Sequence, residues 1–290
     1  MSFPSGIGVI DLMLSIPGQD NSAWYEFIKP QLLDEQSRTQ FAMPAQYMFK
    51  DIPDAGPQTD YIAWTVAQMD KHGIARAMLD IDEDNSVAQE AVTRYPQRFF
   101  CSYEANPNRA MDEVRKIRRL RERFDIKAVT AFPSGLCPQV PVNDKKWYPI
   151  YATQVDLDIP FCPCMGVPGP RIPMDPQRVE LLDEVCWFFP ELRIVTRHGC
   201  EPWTELACKL MLKYPNLHYM TSAFAPRYYP EDIIRFANTR GSDQILYAGY
   251  FPMGISLDRI FAELPEVPLR DAVWPKFLRD NAVRVFKLDH

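Results

Sequence analysis

One imidazole stands where proton transfer could be done. In Leu192-Arg-Ile-Val-Thr-Arg-His198-Gly199-Cys-Glu-Pro-Trp203 an apolar run ends in a His-Gly pair, and a helical pattern begins near Pro202. That spacing puts His198 at the carboxyl end of a strand, the end at which α/β barrels keep their chemistry. An imidazole there suits a general acid or base, or a metal ligand. The chain has four histidines. His72 precedes Gly73 in a helix-ending pattern, His218 leads into a strand, and His290 is the last residue. His198 therefore has no histidine partners at the spacing of a metal site. No Cys-x-x-Cys or Cys-x-x-His pair occurs, and Cys162 and Cys164, two apart on an expected strand, point the same way.

Further groups gather near the expected barrel mouth. Ser222, Arg227, Tyr228 and Tyr229 follow the seventh strand, Glu201 and Trp203 the sixth, and Ser134 the fourth. Arg227 carries the planar fork that clamps a carboxylate or phosphate. It reads equally as a solvent-facing loop residue, and Tyr228, Tyr229 and Trp203 read more often as rim packing than as substrate contacts. Arg197, one residue before His198, is expected to point away from the barrel interior into the strand–helix layer.

The elements that must position these groups repeat about eight times. Candidate strands are Gly8–Leu14, Ala75–Ile81, Phe99–Tyr103, Lys127–Phe132, Ile159–Cys164, Ile194–His198, His218–Ser222 and Gln244–Tyr250. Between and after them lie helical patterns at Asp60–Lys71, Ser86–Tyr95, Ala110–Phe124, Trp147–Val155, Pro176–Phe188, Pro202–Tyr214, Pro230–Asn238, Ser256–Glu263 and Pro275–Phe286. Pro202, Pro230 and Pro275 suit first helical positions, where the missing N–H goes unused. Strand–helix repetition at this spacing predicts a parallel sheet, and eight units predict a (β/α)₈ TIM barrel. The rhythm breaks once, in the stretch of about forty-five residues from Ser15 to Thr59. Trp24, Tyr25, Phe27, Phe41, Met43, Tyr47 and Met48 in it form either a lid over an apolar substrate or rim packing. The reading is one domain over residues 1–290, with 15–59 as a lid insertion.

Composition narrows the function. With 290 residues and 47% hydrophobic content, the chain can build a large core without disulfides. A net charge of −6 argues against a nucleic-acid surface. The basic cluster Arg115–Arg123 is interrupted by apolar residues at helical spacing and reads as a solvated helix face. No apolar stretch reaches the ~18 residues of a membrane span. No signal-peptide pattern opens the chain, and seven cysteines without an export signal suit free thiols in the cytoplasm.

Several segments together resemble the amidohydrolase-related family, in the branch of metal-dependent hydrolase barrels that includes aminocarboxymuconate-semialdehyde decarboxylase. They are Ile10-Asp11-Leu12-Met13-Leu14-Ser15, Met69-Asp70-Lys71-His72-Gly73-Ile74, Trp147-Tyr148-Pro149-Ile150-Tyr151, His198-Gly199 and Asn281-Ala282-Val283-Arg284-Val285-Phe286. The resemblance implies a barrel over nearly the whole chain and metal ligands on strands 1, 5, 6 and 8. The ligand positions diverge. The strand-1 histidines fall on Met13 and Ser15, the strand-5 histidine on Cys164 and the strand-8 aspartate on Tyr250. Only His198 remains. Methionine, serine and tyrosine are poor donors for a borderline divalent cation, so no catalytic metal and no other cofactor are expected.

The family frame also implies that Cys164 and His198 converge. A thiolate–imidazolium pair would supply a nucleophile. The alternative is that Cys164 is a small apolar filler. The expected function is a metal-independent hydrolase or lyase acting on a small organic acid derivative, through an ester, lactone, thioester or C–C bond. His198 would be the acid/base, Tyr250 a donor to developing charge, and Cys164 the candidate nucleophile. Arg227, Ser222, Trp203, Met13, Ser15 and Asp11 would meet the substrate or orient its neighbours. A different class stays open: a barrel that has lost catalysis and serves as a binding or scaffold subunit. The expected partner is a small-molecule substrate, with no nucleic acid and no membrane, and homo-oligomerisation is left open.

Overall fold

Eight short strands run parallel in chain order. They are β1 (Val9–Asp11), β2 (Ile74–Asp80), β3 (Phe99–Glu104), β4 (Ala128–Ala131), β5 (Phe161–Pro163), β6 (Ile194–Thr196), β7 (Leu217–Met220) and β8 (Ile245–Leu246). Each pairs with its sequence neighbour in one sheet. Beyond the strand ends, a parallel bridge between Leu14 and Phe251 and a 2.9 Å bond from the Ser15 N–H to the Phe251 carbonyl bring the first and last units together. The sheet is therefore curled as in a TIM barrel. The computed structural model describes residues 3, 4, 6–39, 43 and 45–289; Phe41 and His290 lie outside the described residues.

Helices cover the outside of the sheet. A short α1 (Glu35–Thr39) lies in the long segment after β1. It is followed by α2 (Tyr61–Lys71), α3 (Ser86–Arg94), α4 (Ala110–Phe124), α5 (Tyr148–Leu157), α6 (Leu182–Phe188), α7 (Thr204–Lys213), α8 (Glu231–Ala237), α9 (Leu257–Glu263) and α10 (Asn281–Phe286). Side-chain caps set several starts: Asp60 accepts the Ala63 N–H, Asn85 that of Ala88, and Ser256 that of Arg259. On α4, Val114, Ile117 and Leu120 are buried, while Arg115, Arg118 and Arg119 face outward and pair with Asp112, Asp156 and Glu83. The basic cluster is a solvated face. Among the described residues no helix is long and apolar enough to cross a membrane.

Two of the helix-opening prolines sit differently from expectation. Pro230 is the residue before α8 rather than its first, and α7 begins at Thr204, two residues past Pro202. The cause at α7 is a turn, closed by the Trp203 N–H on the Cys200 carbonyl at 2.8 Å, which must finish before the helix can start.

The strand period sorts the side chains into two layers. Leu79, Cys101, Val129, Phe161, Ile194 and Tyr219 pack outward against the helices. Met78, Phe100, Ala128, Cys162, Val195 and Met220 fill the barrel interior. Two residues further on each of these strands come Asp80, Ser102, Thr130, Cys164, Arg197 and Ser222. That polar layer sits above an apolar plug, at the carboxyl ends of the strands.

Candidate active site

A cavity of about 1080 Å³ opens at that end of the barrel. Asp80, Glu104, Thr130, Cys164, Arg197 and Tyr250 line its strand side. Trp24, Tyr25, Phe27, Met43, Met48 and Phe49, from the segment between β1 and α2, line the other. A polar floor under an aromatic wall is the usual form of a small-molecule site. Tyr47 is not part of the lining; it is largely exposed and its hydroxyl donates to the Gly169 carbonyl at 2.7 Å.

His198 reaches the cavity through an unusual backbone. His198, Gly199 and Cys200 all have positive φ, at 63°, 90° and 58°. For the two residues carrying a Cβ this conformation costs roughly 1–2 kcal/mol each. A Cβ on Gly199 would meet the Phe224 ring at 2.4 Å, so only glycine fits between the turn and that ring. The His198 N–H donates to Ser222 Oγ at 3.0 Å, and the same hydroxyl lies 3.2 Å from Nδ1. The hydroxyl thus bridges the backbone N–H and the ring, and the position of its own hydrogen fixes which ring nitrogen is protonated. Burial and the Arg197 charge push the His198 pKa down to about 3. The imidazole is a neutral hydrogen-bond donor at ordinary pH. Burial, and then a guanidinium one residue away, disfavour the imidazolium.

Tyr250 stands beside it, the two rings 5.5 Å apart and edge to face, and stacks on Phe49. Burial, with Tyr25 and Cys164 nearby, raises the phenol pKa, so its hydroxyl stays protonated. Cys164 is buried and lines the cavity, but burial pushes its thiol up to about 12. No bond joins it to His198 among the described residues, so the structure offers no thiolate–imidazolium pair. Met13 and Ser15 both line the cavity.

The residues that sequence reasoning missed form the floor. Arg197 does not point into the strand–helix layer. It is 8% exposed, lines the cavity, and directs Nη2 to Met13 Sδ at 3.2 Å. Its Nη1 lies 4.0 Å from Glu104 Oε2, and its Nε is buried without a hydrogen-bond partner among the described residues. The expectation failed because the period was counted from His198, whereas β6 ends at Thr196 and His198 already belongs to the left-handed turn. Counted from Val195, which is in the inner plug, Arg197 faces inward. The same inward phase finds Asp80 two residues past Met78 and Glu104 four residues past Phe100. Asp80 is exposed and the Glu104 side chain is 39% exposed, both onto the cavity they line; desolvation by the cavity walls raises the pKa of each, Glu104 adds to the rise at Asp80, and Arg197 opposes it at both. For Arg197, burial works against the charge, but Cys164, Glu104, Cys162 and Asp80 together hold its pKa above the ordinary value.

The other expected substrate contacts lie outside the cavity lining. Asp11 is fully buried, and its Oδ1 accepts the Met13 N–H at 2.9 Å and the Gly249 N–H at 2.8 Å, tying the two ends of the sheet together. Burial raises its pKa to about 6. Ser222 acts on the ligand side only through His198. Trp203 packs against the core with Arg178 over its ring, and Arg227 pairs with Glu263 at 2.5 Å.

A metal is the cofactor that the family resemblance implies. The five positions concerned present a thioether, an alcohol, a protonated thiol, a neutral imidazole and a protonated phenol, and a guanidinium already faces the thioether. Among the described residues no group of three or more His, Cys, Asp and Glu side chains could hold a metal ion. This donor set does not fit a divalent cation.

The fold and site define a TIM-barrel protein with a polar, strand-end cavity. The amidohydrolase family profile matches residues 35–288, and the chain belongs to that family. No curated protein matches the sequence. Among solved structures, an uncharacterised TIM-barrel protein from Bordetella bronchiseptica is similar over 96% of this chain and 98% of its own, with 20% identity and a TM-score of 0.74. The 5-carboxyvanillate decarboxylase of Novosphingobium aromaticivorans, complexed with manganese and 4-hydroxy-3-methoxy-5-nitrobenzoic acid, is 16% identical over 99% and 98% of the chains, with a TM-score of 0.67. The 2,6-dihydroxybenzoate decarboxylase from Rhizobium is 17% identical over 98% and 99%, with a TM-score of 0.63.

Proposed function

We propose that this protein is a metal-independent lyase that releases CO₂ from a small aromatic or apolar carboxylic acid. The observation that carries the reading is the pair of carboxyls, Asp80 and Glu104, that line the cavity together with Arg197, their pKa values raised above the ordinary carboxylate range. Decarboxylation needs a proton donor at the carbon that loses CO₂ and donors for developing charge, but no nucleophile. The C–C electron pair stays on that carbon and takes the proton from Asp80 or Glu104, which water later restores. His198 Nε2–H and the Tyr250 hydroxyl are neutral donors for charge that develops on the substrate. Hydrolysis fits less well, since the Cys164 thiol stays protonated. The decarboxylases among the structural neighbours support the same class.

The test is ¹³CO₂ release from hydroxybenzoates and other labelled aromatic and apolar acids by chelator-treated protein, with lactones and thioesters as hydrolase controls. CO₂ release unchanged by chelation is expected. Activity that disappears on chelation and returns with zinc or manganese overturns metal independence. No turnover of any compound supports the binding or scaffold reading instead.

A further inference from the structure

The geometry points to Arg197 as the anchor for a ligand carboxylate, an organic cation built into the cavity floor among the side chains that occupy the family's metal-binding positions. The inference concerns the same cavity as the proposed lyase and deepens that reading, but it holds for binding alone.

A guanidinium has five N–H donors in a planar fork. Here the fork is buried, and what surrounds it leaves that capacity unmet. Nη2 has only the weak Met13 thioether at 3.2 Å, and Nε has no partner among the described residues. Glu104 at 4.0 Å is too far for a hydrogen bond. It supplies counter-charge without occupying a donor. Buried donors left unpaired are costly, and native proteins rarely keep them without a reason. An oxygen anion entering the cavity would satisfy them at once.

The backbone holds the fork in place. The Arg197 N–H donates to the Pro163 carbonyl at 2.8 Å, and the Arg197 carbonyl accepts the Met165 N–H at 3.1 Å. Both bonds pin the residue to β5, so the guanidinium is held against the floor rather than carried on a loose loop.

The wall chooses the rest of the ligand. Trp24, Tyr25 and Phe49 line the same cavity as the fork, which suits a flat apolar or aromatic body attached to the carboxylate. Bidentate capture of a carboxylate needs the planar fork, so lysine should be a poor substitute.

The experiment is a calorimetric titration of the full-length protein with benzoate, salicylate, 2-naphthoate and two controls, benzamide and phenyl phosphate. Binding of at least one of the three carboxylates is expected, with benzamide weaker than benzoate by about tenfold or more. Arg197→Lys should weaken the carboxylate by about tenfold and Arg197→Met should abolish its binding, with circular dichroism unchanged. If Arg197→Met does not fold, Arg197→Lys alone decides. No binding of any carboxylate to the wild type, benzamide binding as well as benzoate, or undiminished affinity in a folded Arg197 variant would overturn the assignment. Tighter binding of phenyl phosphate than of benzoate would overturn the carboxylate in favour of a phosphate. Benzoate is a binding probe here, so failure of CO₂ release leaves this result readable by itself.

Discussion

The hydroxyl of Ser222, on the turn after β7, takes the backbone N–H of His198 at 3.0 Å and meets its Nδ1 at 3.2 Å. One side chain thus touches both the entry of the left-handed turn and the ring nitrogen of its imidazole. Replacing Ser222 by alanine should release both. We expect Ser222→Ala to lower stability by about 1 kcal/mol and to mix the His198 tautomers. Imidazole ¹⁵N shifts check the second effect: a single Nε2–H form in wild type and two forms in the variant. A variant that keeps one form would show that Ser222 does not choose the tautomer.

The cavity carboxyls must be protonated to act as proposed. Both pKa values are raised, so the acid form is complete at low pH and is lost as pH rises through those raised values. Turnover should therefore fall on the alkaline side. Asp80→Asn and Glu104→Gln should each reduce kcat, and the one that donates the proton should lose roughly 10²–10⁴-fold. If both variants keep wild-type kcat and pH profile, the proton comes from elsewhere.

Asp11 makes a separate prediction about stability. Its folded pKa of about 6 exceeds the ordinary aspartate value of 3.8, so between the two the folded chain holds a proton that the unfolded chain has released. The contribution is complete below the unfolded value and is lost as pH rises to about 6, an effect of about 3 kcal/mol. Asp11→Asn keeps an Oδ1 acceptor for the Met13 and Gly249 N–H groups. Denaturant unfolding at several pH values should show less loss of stability between about pH 4 and pH 6 in this variant than in wild type. An identical slope would mean that Asp11 does not titrate in that window.

A protonated Cys164 predicts chemical quiet. Cys164→Ser should retain turnover within about threefold, since the thiol at about 12 is not a nucleophile at neutral pH. Mass-spectrometric mapping after iodoacetamide should find the exposed Cys137 modified first and the buried Cys164 protected. Loss of activity in Cys164→Ser, with early labelling of Cys164, would restore covalent catalysis.

The barrel is legible in the sequence because apolar runs alternate with helical patterns about eight times, from Gly8–Leu14 to Gln244–Tyr250. The cavity itself was half legible. His198 is legible from its place at a strand end, and Cys164, Tyr250, Met13 and Ser15 from the family resemblance. Arg197, Asp80 and Glu104 were missed. Finding them required the inward phase of each strand, which Val195, Met78 and Phe100 reveal only once they are known to fill the interior. Arg227 misled for the opposite reason: it looked unpaired in sequence, and its partner Glu263 lies thirty-six residues away on α9. Long-range pairing of that kind leaves no local trace.

The position of Arg197 also sets a condition on any attempt to retrofit this barrel as a metalloenzyme. Installing histidines at residues 13, 15 and 164 and an aspartate at 250 would restore donors but leave a fixed positive charge beside them. At about 4 Å, repulsion between a guanidinium and a divalent ion is roughly twice the ~4 kcal/mol of two unit charges at intermediate dielectric. Engineers would have to exchange the guanidinium for a neutral group in the same step. With it in place, better donors would still make a poor site.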